Sequence, residues 1–349
     1  MTTTATPGPL APAAPYGAPE AAVPLSAPVA APRGAPGVAA RTPRGAPGTG
    51  RPATAALLVL GSCTSLQAGA ALAMRLFPVT GAPGATLLRL GLAAATLLVL
   101  ARPRVRGWRS SQWRAVALYG ISLAGTNGFF YAALARLPLG TAVTIQFLGP
   151  LTLAAALSRR WRDAGWVGLA VTGVLVLGVT SGHGPAGHPL NRAGVAFVLV
   201  SAAFWALYVV AGSRLSTAVP GRGGLAAGLA IGTLALLPFG AHGAWQVAGR
   251  PHLMLLALGT AVLASVVPYT LELAALRRAP RRVFGILLSL EPAVAALAGL
   301  VLLGQPVPAV AAGAIALVIL ASAGASVGGR PPAAARGGDG GSRTRSGSS

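Results

Sequence analysis

From residue 53 to residue 327 the chain alternates long apolar runs with short polar breaks. The runs cover 53–73, 83–101, 115–134, 139–158, 164–181, 193–213, 224–241, 253–273, 283–303 and 307–327. Each is roughly 18–22 residues long, enough for a helix rising about 1.5 Å per residue to cross ~30 Å of hydrocarbon. Buried helices of a soluble core would come with amphipathic partners, and none are interleaved here. The pattern therefore predicts an all-α integral membrane protein with ten transmembrane helices.

The chain also contains a copy of itself. YAALARLPLGTAVTIQFLGPLTLAAAL (131–157) aligns with LAALRRAPRRVFGILLSLEPAVAALAG (273–299) at a constant offset of 142 residues. Ala-Ala-Leu, the Arg and Pro of the turn, and a proline in the following span fall in register: Pro150 matches Pro292, and Gly149 matches Glu291. The repeat unit is five spans, and an odd number of crossings makes the second copy enter from the opposite side. Two inverted five-helix repeats are expected, one over 53–181 and one over 193–327. That arrangement recurs in secondary transporters, with the substrate site near the midplane between the halves. Neither proline can donate to the carbonyl four residues earlier, so both fourth spans of the repeats should kink there. An irregular backbone at membrane depth is tolerated where it faces protein or a wet cavity.

Charge refines this picture. Only 9% of the residues are charged against 54% hydrophobic, yet the formal net charge is +22. All the excess is arginine. The breaks after spans two, four, six and eight hold fourteen arginines, from Arg102 to Arg282; the alternate breaks hold only Arg75, Arg136, Arg192 and Arg250. This is the positive-inside asymmetry, which predicts both termini in the cytoplasm of a cell-membrane protein. The arginines then face anionic lipid of the inner leaflet, so nucleic acid is not needed to explain them. Trp108, Trp113, Trp161, Trp166 and Trp245 fall near span ends, as interfacial aromatics do; Trp205 lies inside a span.

Residues 1–50 and 328–349 are rich in small and turn-forming residues and lack large apolar side chains, so disordered cytoplasmic tails are expected. Cys63 is the only cysteine, which excludes an intramolecular disulfide. The four histidines lie in or beside two outward breaks without metal-ligand spacing, and no metal or cofactor is expected.

A short list of polar groups remains inside the membrane, where ionisable side chains cost ~2.5–3.5 kcal/mol on insertion scales and usually face a polar interior. Arg89 lies about a third of the way into span two. Glu291 lies well inside span nine, directly before Pro292. Glu272 sits at the cytoplasmic end of span eight, where an ion pair with Arg277 and Arg278 is the simpler expectation. Arg89 and Glu291 approach from opposite sides and differ in depth by something like 8 Å, so a pair between them is expected, holding helices together or gating a cavity. Ser65, Gln67, Thr126, Asn127, Tyr131, Gln146, Trp205, Tyr208 and Tyr269 are uncharged candidates for substrate contact, or for hydrogen bonds between helices.

Four stretches resemble the EamA branch of the drug/metabolite transporter superfamily, and within it the threonine/homoserine exporters. They are SLQAGAALAMRLFPVTGAPGATLLRLGL (65–92), NGFFYAALARLPLGTAVTIQFLGPLTLAAALSRR (127–160), AFWALYVVAGSRL (203–215) and VPYTLELAALRRAPRRVFGILLSLEPAVAALAGLVLLGQ (267–305). The resemblance covers nearly all of 55–327 and neither tail. It implies ten helices, an inner-membrane location, and efflux of amino acids or related small metabolites coupled to the proton gradient. Two departures stand out: the exporters commonly have Glu where this chain has Gln146, and Gly-Glu where it has Gly304-Gln305. Both remove a titratable group. A membrane-embedded lipid-linked transferase would want paired carboxylates, a metal cluster or an activated nucleophile. Asp163 stands alone, and no such set is evident. A sensor or scaffold would want a soluble domain to signal through. No phosphate-binding G-x-x-x-x-G-K-[ST] loop occurs, so this chain does not read as an ATP-driven pump.

Overall fold

Pro52 begins a helix that does not stop at the first expected break. In the computed structural model, which describes residues 52–157, 161–180, 190–219, 222–276, 278 and 281–328, α1 runs over Pro52–Ala101 and turns at Gly81, with φ 63° and ψ 169°. That backbone region is open essentially to glycine alone. Pro83, tolerated in a helix's first turn, lies just beyond it. Spans one and two are thus two arms of α1 joined at one residue, without the loop expected over 74–82.

The chain continues through α2 (Ser110–Leu134), α3 (Leu139–Gln146), α4 (Leu148–Leu157), α5 (Trp161–Thr180), α6 (Arg192–Ala218) and α7 (Arg222–Trp245). After α8 (Pro251–Ala261) a π-helical turn, Val262–Val266, leads into α9 (Val267–Leu276). The last elements are α10 (Arg281–Leu288), α11 (Glu291–Leu303) and α12 (Ala309–Gly328). Local chemistry sets several ends. Asn191 caps α6 by accepting the Gly194 N–H at 2.9 Å, as a short polar side chain at that position does. Gly304, with φ 66°, ends α11 in the left-handed conformation.

Every regular element among the described residues is a helix. Seven of these described helical stretches are long and apolar enough to cross a membrane, and Asp163–Leu177 is a shorter apolar helix. The outward faces carry Leu57, Val99, Leu234, Phe239, Leu255 and Val301, each more than 60% exposed. An apolar exterior of this extent is foreign to a water-soluble monomer and suits lipid. The two tails, most of the break between α5 and α6, and His183 and His188 lie outside the described residues.

Packing follows small residues. The second arm of α1 crosses α7 at Gly84, Gly240 and Gly243, where a Cβ on Gly84 would come within 2.9 Å of the Gly243–Ala244 backbone. Tyr119 and Gly120 of α2 meet Gly228 and Gly232 of α7, Gly140 of α3 meets Ala296 of α11, and Gly149 of α4 meets the Ala202 carbonyl of α6. The first arm of α1 lies along α8, the π turn and α9, while α5 pairs with α12. Glycine at crossings lets membrane helices approach to backbone contact.

Candidate functional site at the seam of α1 with α8–α11

The first arm of α1 places Ser62, Ser65 and Gly69 on one face, at helical spacings of three and four. All three meet α8–α9. Ser62 Oγ donates to Glu272 Oε1 at 2.8 Å and lies 3.3 Å from the Pro268 carbonyl. Ser65 Oγ donates to the Leu263 carbonyl at 2.8 Å. A Cβ on Gly69 would stand 2.7 Å from both the backbone N and the Cβ of Ala264, so this helix touches the π turn directly.

The π turn has a cause and a use. Pro268 has no N–H to give the carbonyl of Ala264 four residues earlier. That freed acceptor is taken by Arg89 Nη2, reaching from the second arm of α1, at 3.0 Å. Arg89 Nη1 donates to the Tyr131 hydroxyl at 3.1 Å, and the guanidinium carbon lies 5.5 Å from the Tyr131 ring centre. Tyr131 is fully buried and is backed by Phe77, with ring centres 5.8 Å apart. Such π turns often mark functional positions in helices.

Glu291 is the first residue of α11. Its Oε1 accepts from Gln67 Nε2 at 3.0 Å, and its place at a helix N-terminus favours negative charge. The expected pair between Arg89 and Glu291 is not what forms: the guanidinium hydrogen-bonds the Tyr131 hydroxyl and the Ala264 carbonyl, and the carboxylate engages Gln67. A depth comparison alone overlooks the nearer acceptor that Pro268 liberates. Arg89 Nε and Gln67 Oε1 are buried and hold no hydrogen-bond partner.

The remaining candidates separate into distinct groups. Gln146 Nε2 donates to Ser201 Oγ at 2.7 Å, and Ser201 Oγ donates to the Thr126 carbonyl at 2.7 Å. This relay ties α3, α6 and α2 together away from the α8–α9 face. Thr126 and Asn127 side chains bond back within α2, to the carbonyls of Ser122 and Leu123. Tyr208 shares a hydroxyl contact of 3.2 Å with Tyr119. Trp205 packs edge-on against Phe147, ring centres 5.4 Å apart, at the break between α3 and α4. Glu272 accepts its hydrogen bond from Ser62, while the nearby Arg278 Nη1 bonds the Ala274 carbonyl in place of the expected ion pair; Arg277 lies outside the described residues, as does the side chain of Tyr269. Both fourth spans are broken where proline foretells it: α3 ends four residues before Pro150 and α10 four before Pro292.

Sequence reasoning misses Ser62, Ser201 and Gly69. Isolated hydroxyls and glycines in apolar spans carry no signal until their neighbours are known. Pro268 does carry one, by the rule already applied to Pro150 and Pro292. Among the described residues no three His, Cys, Asp or Glu side chains gather as a metal site would require.

Residues 192–327 match the family model of the EamA-like transporter family. The chain is 38% identical over 274 residues to the threonine/homoserine exporter RhtA of Escherichia coli (strain K12) and to that of Salmonella typhimurium (strain LT2), covering 78% of this chain and 90% of each relative. A solved protein structure of 23% identity, covering 79% of this chain and 96% of that one, superposes with a TM-score of 0.48, too loose a likeness to argue from. On the exporter matches, the chain belongs to the EamA-like transporter family, among its RhtA-like members, and is a multi-pass membrane transporter rather than an enzyme.

Proposed function

We propose that this protein is a secondary-active exporter of small amino acids of the threonine/homoserine kind, exchanging substrate for protons across the inner membrane. The hydrogen bond from Gln67 to Glu291 carries the reading. It places a proton-exchangeable carboxylate at the N-terminus of a broken helix, on the seam between the first span and the ninth. Unprotonated, Glu291 attracts a cationic group; once it takes up a proton from outside, that attraction ends. Alternation between those states is the minimum chemistry that proton-for-substrate exchange needs. Glu272 is the other carboxylate on this face, but it sits at the cytoplasmic end and is held by Ser62.

In this reading the chain crosses ten times as two inverted repeats with both termini inside. The support is internal. The helices α3 (Leu139–Gln146) and α10 (Arg281–Leu288) have the same length and are separated by the repeat offset at both ends. Exchanging each span with its counterpart maps the second-arm contact with α7, the α3 contact with α11 and the α5 contact with α12 onto themselves. The same exchange turns the α2–α6 contact into that of the first arm with α8–α9. Broken helices at matched depth are where such transporters hold their substrates. Gln146 and Gln305 lack the titratable carboxylates of the exporters, which leaves coupling to Glu291. Cytoplasmic arginines facing anionic lipid would hold the chain in this orientation.

The direct test expresses the chain in a bacterial strain stripped of its own amino-acid exporters. Expression should raise tolerance to threonine and homoserine and their extracellular levels, and a protonophore should abolish the gain. Unchanged tolerance to both amino acids with protein present in the membrane would reject the reading.

A further inference from the structure

The polar seam holds two atoms whose bonding is incomplete, and their chemistry is complementary. Arg89 Nε is a buried donor without an acceptor, and Gln67 Oε1 is a buried acceptor without a donor. Arg89 is a cation deep in the protein whose two hydrogen bonds both go to neutral oxygens, the Tyr131 hydroxyl and the Ala264 carbonyl. A buried cation is costly unless an anion meets it. Glu291 does not, because its Oε1 accepts from Gln67. The guanidinium fork matches a carboxylate two-to-two, and the Nε edge of that fork is the part left open.

The two atoms belong to one locality. Arg89 Nη2 is 3.0 Å from the Ala264 carbonyl. Ala264 is in backbone contact with Gly69, and Gly69 is two residues from Gln67 on the same helix. A ligand entering here meets a cation on one side and, within about a helical turn, an amide oxygen beside a carboxylate on the other.

Resting on the exporter reading, we infer that Arg89 is the receptor for the substrate's α-carboxylate, and that Gln67 Oε1 with Glu291 receives its α-ammonium group. An α-amino acid zwitterion carries both charges across a single carbon, and its binding leaves the seam electrically neutral. An amine without a carboxylate leaves Arg89 without an anion. A carboxylic acid without an ammonium group sets a second anion against Glu291. The site selects on the common backbone of amino acids, and the side chain is read elsewhere. When substrate takes Arg89, the Ala264 carbonyl loses its donor, which ties occupancy to the backbone of the π turn.

The test measures binding of radiolabelled threonine to the full-length protein in lipid nanodiscs, competed by threonine, threoninamide (no carboxylate) and N-acetylthreonine (no ammonium). Wild type should bind each blocked analogue at least ~30-fold more weakly than threonine, the scale of removing one partner from a desolvated charge pair. Arg89→Gln should lose the preference over threoninamide and keep that over N-acetylthreonine; Glu291→Gln should do the reverse. A merely structural role would weaken all three ligands alike. Should Arg89→Gln fail to reach the membrane, Arg89→Lys serves: its preference over threoninamide should persist but shrink, because an ammonium cannot reproduce the fork. Wild-type discrimination in both the Arg89 and the Glu291 variants would overturn this inference and leave the exporter reading intact. A wild-type protein that binds neither threonine nor homoserine would overturn both.

Discussion

The side-chain carbonyl of Gln305 accepts the backbone N–H of Leu139 at 2.9 Å, so the residue that follows α11 caps the start of α3. That N–H is one of the donors a helix start cannot satisfy internally. Gly299 leaves the space: a Cβ there would come 2.7 Å from Gln305 Oε1. Where the exporters carry glutamate, a carboxylate oxygen could accept the same bond. Gln305→Ala should therefore lower stability by about 1 kcal/mol, the usual cost of a lost cap, and Gln305→Glu should hold it. Gly299→Ala should cost a similar amount, and the Gly299→Ala/Gln305→Ala double variant should lose less than the sum, since both act on one bond. Thermal unfolding in detergent reads all four.

Gly69 makes a sharper prediction, because what a methyl group would meet there is backbone. Gly69→Ala forces α1 off the π turn at Ala264, and overpacking of this kind costs roughly 1–3 kcal/mol. It should also impair export, since Arg89 depends on the same turn. A methyl group added at Gly259 in α8 or Gly313 in α12 would meet nothing within 4 Å. Alanine at either should leave folding and flux near wild type. Equal behaviour of Gly69→Ala and Gly259→Ala would show that the contact at the π turn is unimportant.

Apolar runs announce helices because lipid demands unbroken internal hydrogen bonding, and the described helices lie on those runs. Pro150 and Pro292 announce the two broken spans because a missing N–H is visible in one letter of sequence. The turn at Gly81 is less legible: VTGAPGA reads as a loop until the helix is seen running up to it on both sides. Partner choice is the hardest part. Arg89 and Glu291 look like a pair because opposite charges attract, yet a carbonyl freed by Pro268 and an amide one helix away satisfy each of them locally. Gln146 reads as a lost carboxylate, whereas its neighbours Ser201 and Thr126, distant in sequence, give it a bridging hydrogen bond between helices.

Orientation is open to chemical labelling. Cys63 is 2% exposed, so an impermeant thiol reagent should not reach it in the intact protein, and single cysteines can be added to the natural chain. Ala248, after α7, and Ser110 and Ser216, at the opposite ends of the helices, are all exposed. The arginine asymmetry puts Ala248 outside and the two serines inside. Whole cells should label Ala248→Cys and spare Ser110→Cys and Ser216→Cys until the membrane is permeabilised. The opposite pattern would invert the topology. Gly243 is unsuitable as an outer probe, because a side chain there would strike the Thr80 carbonyl.

Glu291→Gln separates coupling from architecture. An amide at 291 keeps a carbonyl oxygen that can accept the Gln67 N–H now given to Oε1 at 3.0 Å, so the seam should assemble and membrane abundance should stay near wild type. What the variant lacks is an exchangeable proton. In proteoliposomes loaded with saturating threonine, exchange of labelled for unlabelled threonine should persist, because it needs only binding and reorientation. Net efflux driven by an acidic outside should fall to the level set by the threonine gradient alone, and its dependence on external pH should flatten. Glu272→Gln is the control, since Glu272 lies towards the cytoplasmic end with Ser62 as its partner; it should keep proton-driven efflux. Retained pH-driven efflux in Glu291→Gln would move coupling to another group. Loss of folded protein would instead make the carboxylate a structural partner of Gln67, and threonine exchange at wild-type rate together with lost proton drive is the one result that assigns it the coupling role.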